Sequence, residues 1–202
     1  MRSPEREAEE LVRRHRAWIE RHTAKITARR RALALRPSLE RGRVITLHGR
    51  PFQVVVATTG RIRSRVALDE PDVIRVERSA VDERPAAVVL ESWLRGRSRV
   101  AIERQVASRA PEMAVDVRLI TIRDQRTRWG SASRTGALSF NWRLVLCPPD
   151  VLDYVVVHEL AHLRISGHGR SFWSVVAKHH PGADRARRWL RDNHDALRHA
   201  LD

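Results

Sequence analysis

Between residues 5 and 35, Leu11, Trp18, Ile19, His22 and Ile26 recur at three- and four-residue steps among arginines and glutamates. An α-helix repeats every 3.6 residues, so this spacing predicts one helix carrying an apolar stripe, ended by Pro37. From Gly42 to Glu77 the period changes. VITLHG, FQVVVATTG and VIRVER are short β-branched runs punctuated by Gly49, Pro51, Gly60 and Pro71, which predicts antiparallel strands. A helical pattern returns over residues 85–110, with Val88, Val89, Trp93, Ile102 and Val106 expected on one face and Pro111 closing it.

Two more strands are expected in DVRLITIRD and ALSFNWRLVL, separated by the loop-like TRWGSASRTG. CPPD then introduces an amphipathic helix reaching about Ile165, with Asp150 as its cap and Asp153 in the place of a capping-box acid. Gly167 is suited to stop it in a left-handed conformation. Helices over 171–180 and 183–199 follow, divided by Pro181-Gly182. The alternation of helices with short strands predicts an α+β protein. Its small antiparallel or mixed sheet packs on the helix after CPPD, with additional helices at both ends. We divide it into an N-terminal helical appendage, residues 1–40, and a catalytic domain, residues 41–202.

Composition adds little to the fold but narrows the setting. Hydrophobic residues at 42% and charged residues at 31% of 202 are those of a globular protein with a real core. The single cysteine, Cys147, excludes an internal disulfide framework. No apolar leader is visible, and runs such as Val155-Val156-Val157 fall far short of the ~20 residues needed to span a bilayer, so a soluble cytoplasmic protein with no membrane partner is expected. The net charge of +15 is concentrated early: residues 1–50 carry 14 Lys+Arg against 6 Asp+Glu. Apart from Lys25 and Lys178 every cationic side chain is arginine. Association with nucleic acid or nucleotides through arginines is one reading; an arginine-favouring composition and one solvated basic helix are the plainer one.

The chemistry is concentrated in His158-Glu159-Leu160-Ala161-His162. Residues four apart on a helix lie on the same face, so both imidazoles can reach one metal ion without backbone distortion. Glu159 stands about 100° round the helix, able to meet a water on that metal but not to be a ligand itself. Catalytic zinc sites usually carry three protein ligands, and His168, six residues beyond His162 and behind the Ser166-Gly167 turn, is the best third candidate. His179 and His180 are weaker ones. An H-E-x-x-H also arises by chance in a protein with 10 histidines; the apolar run before it and the histidine behind a glycine turn favour one Zn²⁺ per chain.

RWGSAS, LSFNWRLVL, DYVVVHELAHL and GHGRSFW, in this order, resemble the YgjP-like metallopeptidase family, a neighbour of the SprT-like and WLM zincins. The resemblance is strong over residues 119–176; upstream, RRHRAWIERH looks like the family's N-terminal helix and GRPFQVVV like its following strand. It implies a zincin-like fold, three histidine ligands mapping onto His158, His162 and His168, and a glutamate base at Glu159. One departure is Ala132, where the family's W-G-S-C-S segment has cysteine, which argues against a required thiol there.

Around this centre, Trp129, Asn141, Trp142 and Arg143 are the candidates to border a substrate cleft, since a strand beside a zincin helix can pair with an extended peptide. The plain alternative is that tryptophans fill the core. Trp173 shares that ambiguity. Tyr154, one turn before His158, either packs or supports a ligand, and Arg126, Arg128 and Arg134 either hold an anion or are solvated. The leading functional expectation is a zinc metallopeptidase acting on peptide or protein substrates. The alternatives are a metal-dependent nucleotide phosphoanhydride hydrolase, and a DNA-associated protease or binding module with structural zinc.

Overall fold

A side chain at every fourth position, from Ala86 through Leu90, Leu94, Ser98, Ile102 and Val106 to Ala110, is buried. That row is an inclined ridge on a long helix, the kind that fits the groove of another element. Of the face expected from the sequence, Val89, Ile102 and Val106 are buried, whereas Val88 points to solvent and Trp93 is only partly covered.

The computed structural model describes residues 4–35 and 38–202. The protein divides into two units, Met1–Pro37 and Ser38–Asp202. The first is a single helix, α1 (Pro4–Ala34), on which Val12, Trp18 and Ile19 are exposed. Pro37, and the side chains of Leu11, His22 and Ile26, lie outside the described residues.

The second unit is α+β. In sequence order it contains β1 (Val44–Leu47), β2 (Arg50–Thr59), β3 (Arg65–Asp69), β4 (Val73–Ser79), α2 (Ala86–Glu112), β5 (Leu119–Arg123), β6 (Gly130–Ala132), β7 (Ala137–Asn141), α3 (Pro149–His162), α4 (Arg170–His179) and α5 (Ala183–Arg198). Short 3₁₀ turns occupy Leu39–Arg41 and Trp142–Leu146. No described helix is long and apolar enough to cross a membrane.

Both sheets are mixed rather than antiparallel. The first has the order β1-β2-β4-β3, with β2 and β4 parallel; the second has the order β5-β7-β6, with β5 and β7 parallel. The reason is the same in each. A short antiparallel strand, β3 or β6, is placed at the outside edge, and the next strand returns between it and the earlier one. Each β6 residue pairs with β7 on one side only, in the register Gly130–Phe140, Ser131–Ser139 and Ala132–Leu138.

α3 occupies the middle of the domain. Every residue from Val151 to Val157 is buried, and so are Glu159, Leu160 and Ala161. A helix packed on nearly all sides is apolar all round, so the expected amphipathic pattern gives way to the continuous run Tyr154-Val155-Val156-Val157. Asp150 does not cap it. The helix starts at Pro149, where the missing N–H costs nothing, with Pro148 in the preceding position. Its entry is fixed by the β1–β2 turn, whose His48 and Gly49 amides donate to the Val145 and Leu146 carbonyls at 2.8 and 3.3 Å. Gly49 has φ +76°, and a side chain there would press on Pro148 at 3.0 Å.

Asp153 likewise departs from the capping role. It is buried on α3 and accepts hydrogen bonds from Gln105 Nε2 at 2.5 Å and from Arg109 Nε and Nη2 at 2.9 and 2.7 Å, tying α2 to α3. Removing one member of such a buried pair strands the others. Asp153→Ala is therefore expected to lower stability by about 2–3 kcal/mol, read from the urea midpoint, whereas Asp150→Ala, on the exposed side of the same helix, moves it far less.

Candidate active site

At its C-terminal end α3 presents His158 and His162, one turn apart, on the same side. The backbone then leaves the helix through Leu163 and Arg164 and reverses at Gly167, which has φ +78°, a region that glycine enters without strain. That reversal brings His168 back over the helix end. The three Nε2 atoms form a triangle: His158 to His162, His162 to His168 and His168 to His158 are each 3.2 Å.

Three corners of a tetrahedron lie 3.2 Å apart when its centre is about 2.0 Å from each, the length of a metal–imidazole bond. The protonation pattern agrees. His162 Nδ1 lies 3.3 Å from the Ile165 carbonyl, which can only accept, so the proton sits on Nδ1 and the Nε2 lone pair faces the centre. Burial, followed by the neighbouring His162 and His168, pushes His158 down to about 3, so its ring is neutral at physiological pH; burial also lowers His162. Three imidazole nitrogens converging on one point are the donor set that a divalent transition metal takes. The residues present fit such an ion.

The rings are held from below. Phe172 of α4 is fully buried and stacks on His162 at 4.4 Å between centroids, with His158 and His168 edge-on to it at 4.9 Å each. Trp173 stands beside His158 and His168 at 5.9 and 5.8 Å. Tyr154 meets His158 edge-on at 5.8 Å.

Glu159 projects toward β6. Only 5% of the residue is exposed, and its carboxylate has no hydrogen-bond partner among the described residues. Burial raises it to about 8, against a smaller opposing pull from Arg128. It lies against Gly130: a Cβ built there would lie 2.6 Å from Glu159 Cγ and 2.6 Å from Oε1. The absence of a side chain at Gly130 is what makes room for the carboxylate.

A cavity of about 570 Å³ opens beside His158 and Glu159. Its walls are the segment Thr127–Gly130, the Tyr154-Val155 turn of α3, and the Arg187, Leu190, Arg191, His194 and Asp195 side of α5. Of the four residues expected to border a cleft, Trp129 lines this cavity. Trp142 is fully buried in the 3₁₀ turn that follows β7, because ALSFNWRLVL is not one strand and bends inward after Asn141. Arg143 stacks on the Trp142 ring at 4.4 Å and pairs with Asp124.

Asn141 is buried and acts on the cleft indirectly. Its Nδ2 donates to the Gln125 carbonyl at 2.8 Å, its backbone N–H donates to the Trp129 carbonyl at 2.8 Å, and its Oδ1 accepts from the Arg143 amide at 3.0 Å. These bonds, with Arg198 donating to the Gln125 and Arg128 carbonyls, hold the segment that carries Arg128 and Trp129. Arg126 and Arg134 are exposed and do not line the cavity. His179 is half-buried at the end of α4, and His180 points its Nε2 at the Asp150 carbonyl, 3.0 Å away. Cys147 is fully buried and burial pushes its thiol up, which leaves no nucleophilic thiolate.

Sequence reading missed Phe172, the role of Gly130 and the whole contribution of α5. The first two stand inside GHGRSFW and RWGSAS, so the signal was present without its meaning. Arg187, Leu190, Arg191 and His194 follow helical spacing, but which side of α5 faces the cleft depends on tertiary packing.

Comparison with known proteins identifies a family. The YgjP-like metallopeptidase domain matches residues 1–193. No curated protein matches the sequence. Among solved structures it has a distant likeness to the metallopeptidase zymogen of Pyrococcus abyssi abylysin, with 23% identity and a TM-score of 0.41 over 45% of this protein and 93% of that one.

Two outcomes follow from the crowding at Glu159. Gly130→Ala forces the carboxylate aside while leaving the histidine triangle in place, so metal content by elemental analysis is retained and hydrolytic turnover falls at least about tenfold. In the metal-free protein, a folded-state value near 8 against an ordinary 4.5 means that the fold prefers protonated Glu159. That contribution is complete below the ordinary value and is lost as pH rises through about 8. The melting temperature of metal-free Glu159→Gln relative to wild type is expected to rise between about pH 5 and about pH 9; a constant difference contradicts the assigned titration.

Proposed function

This chain belongs to the YgjP-like metallopeptidase family, and from that premise we propose that His158, His162 and His168 hold one zinc ion and that Glu159 is the general base for peptide-bond hydrolysis. Metal-dependent hydrolysis is the family's chemistry; the assignment of residues rests on the three Nε2 atoms 3.2 Å apart with a buried carboxylate at the next position on the helix. Imidazole is a borderline ligand suited to zinc, and three protein ligands leave a coordination position open, as catalytic rather than structural sites do.

Zinc bound there supplies a Lewis acid that polarises the scissile carbonyl and makes water a better acid. The remaining steps belong to the protein. Glu159 takes a proton from the attacking water as its oxygen bonds to the carbonyl carbon, then delivers that proton to the amine nitrogen as the C–N bond breaks. Its burial suits both halves, because a carboxylate with little water around it binds a proton more tightly and has few competitors for the one it carries. A cation nearby pulls its proton affinity back toward the working range.

The substrate runs along β6 in this reading. β6 is an edge strand whose Gly130 touches Glu159, so an extended peptide adding to that edge passes in front of the base. This replaces Asn141, Trp142 and Arg143, on or after the central strand β7, as the bordering elements; Trp129 is retained. Asn141 is a positioning residue, acting through the Gln125–Trp129 segment.

A second reading, cleavage of a nucleotide phosphoanhydride, is favoured by one observation: Arg128, Arg187 and Arg191 line the same cavity. Phosphate release from nucleoside triphosphates, with no peptide cleaved, is the result that selects it.

Glu159→Gln is expected to keep about one zinc per protein molecule and lose peptide turnover by a factor of about 10²–10⁴, measured on quenched-fluorescence peptides. His158→Ala is expected to lose the metal and the activity together. Wild-type turnover in Glu159→Gln removes the proposed base, and zinc retained in His158→Ala removes the proposed site.

A further inference from the structure

The cavity beside the histidine triangle has a charge that hydrolysis itself does not need. Arg187, Leu190, Arg191 and His194 step along one face of α5 and form one wall, and Arg128 stands on another. Three guanidinium groups therefore line a space whose carboxylates are Glu159 and Asp195.

An arginine-rich protein puts arginines everywhere, so what decides is their convergence on the cavity that holds His158 and Glu159. Some arginines elsewhere in the domain take carboxylate partners, as Arg65 does with Glu77 at 2.6 Å, Arg75 with Asp69 at 2.5 Å and Arg109 with Asp153 at 2.7 Å. Arg128 and Arg187 pair with no carboxylate among the described residues, and Arg191 reaches only its sequence neighbour Asp192, at 3.7 Å on the surface. Arg187 is nonetheless held in position, stacked on Trp173 at 5.1 Å. Trp173 in turn packs on His158 and His168. A guanidinium stacked by its face keeps its N–H edge free, and that edge matches a carboxylate with two parallel hydrogen bonds. On the opposite wall, the Arg128 backbone is fixed by the Arg198 donor at 3.2 Å.

We propose that Arg128, Arg187 and Arg191 form a subsite that selects peptide substrates bearing a carboxylate, from an acidic side chain or from the peptide's own terminus, next to the bond that is cut. This inference rests on the peptidase reading and gives it a substrate class. Carboxylate recognition fits the wall better than general electrostatic attraction, because three guanidinium groups converge on the one cavity beside the reacting groups and one of them is braced by the tryptophan that packs on the ligands. Substrate binding there supplies a carboxylate within ion-pair distance of Arg128 and Arg187, which have none among the described residues.

The zinc-loaded protein is given three matched peptide series, with Glu, Gln or Lys flanking the cleavable bond, each as a free acid and as a terminal amide. The Glu series is expected to exceed the Gln series by about tenfold in kcat/KM, mainly through KM, with the difference shrinking as salt is raised. Preference for free acids over amides within the Gln series assigns the subsite to the peptide terminus; preference that follows the internal Glu assigns it to a side chain. Arg187→Glu is expected to invert the order of the Glu and Lys series, and Arg128→Glu, on the other wall, does the same if the first variant does not fold. Equal turnover of the three series by wild type, with free acids and amides also cut alike, overturns the carboxylate subsite and leaves the peptidase reading standing. A zinc-loaded protein that cuts none of the peptides, or that cleaves nucleoside triphosphates instead, overturns the peptidase reading and this inference with it.

Discussion

The site depends on the packing of α3. A helix exposed on one side frays, and its side chains hop between rotamers; this one is buried on nearly every side up to the turn that carries His158 and His162. Four-residue spacing alone brings two imidazoles to the same face, but a triangle with 3.2 Å edges also needs fixed ring planes and a fixed exit path for the backbone. The Asp153–Arg109–Gln105 cluster, the β1–β2 turn against Val145 and Leu146, and Phe172 beneath the rings each remove one freedom from that helix. The converging lone pairs repel one another, and packing supplies the energy that holds them in wait for a cation.

Glu159 is governed by the same packing in a different way. Burial that is favourable for valines is unfavourable for a carboxylate, and the fold tolerates it only because Gly130 leaves a gap and the cavity gives water a way in. A local rule of folding is broken at the residue proposed as the base, which is where such violations concentrate in enzymes.

What was legible in the sequence is what depends on short separations. The His158–His162 pair and the Gly167 reversal that returns His168 are set within eleven residues, and helical geometry carries them. The long helices were readable from period and punctuation. Pairing between distant strands was not: the parallel β2–β4 and β5–β7 contacts arise because β3 and β6 are pushed to the edges, which no local pattern encodes. Trp142 was misassigned for a related reason, since a short apolar run is compatible with either a strand or the tight turn that it forms. Asp153 resembled a capping residue from its offset alone, while its partners lie more than forty positions upstream.

The groups proposed to act on the bond and the groups proposed to hold the rest of the substrate sit on different elements. His158, His162 and Glu159 belong to α3, locked in the core; Arg187 and Arg191 belong to α5, whose cationic face is exposed at the surface. Mutational drift along α5 can therefore change what is bound while the reaction centre stays as it is. Such a division makes the domain evolvable: substitutions on the exposed face of one surface helix alter what is bound with little loss of stability at each step.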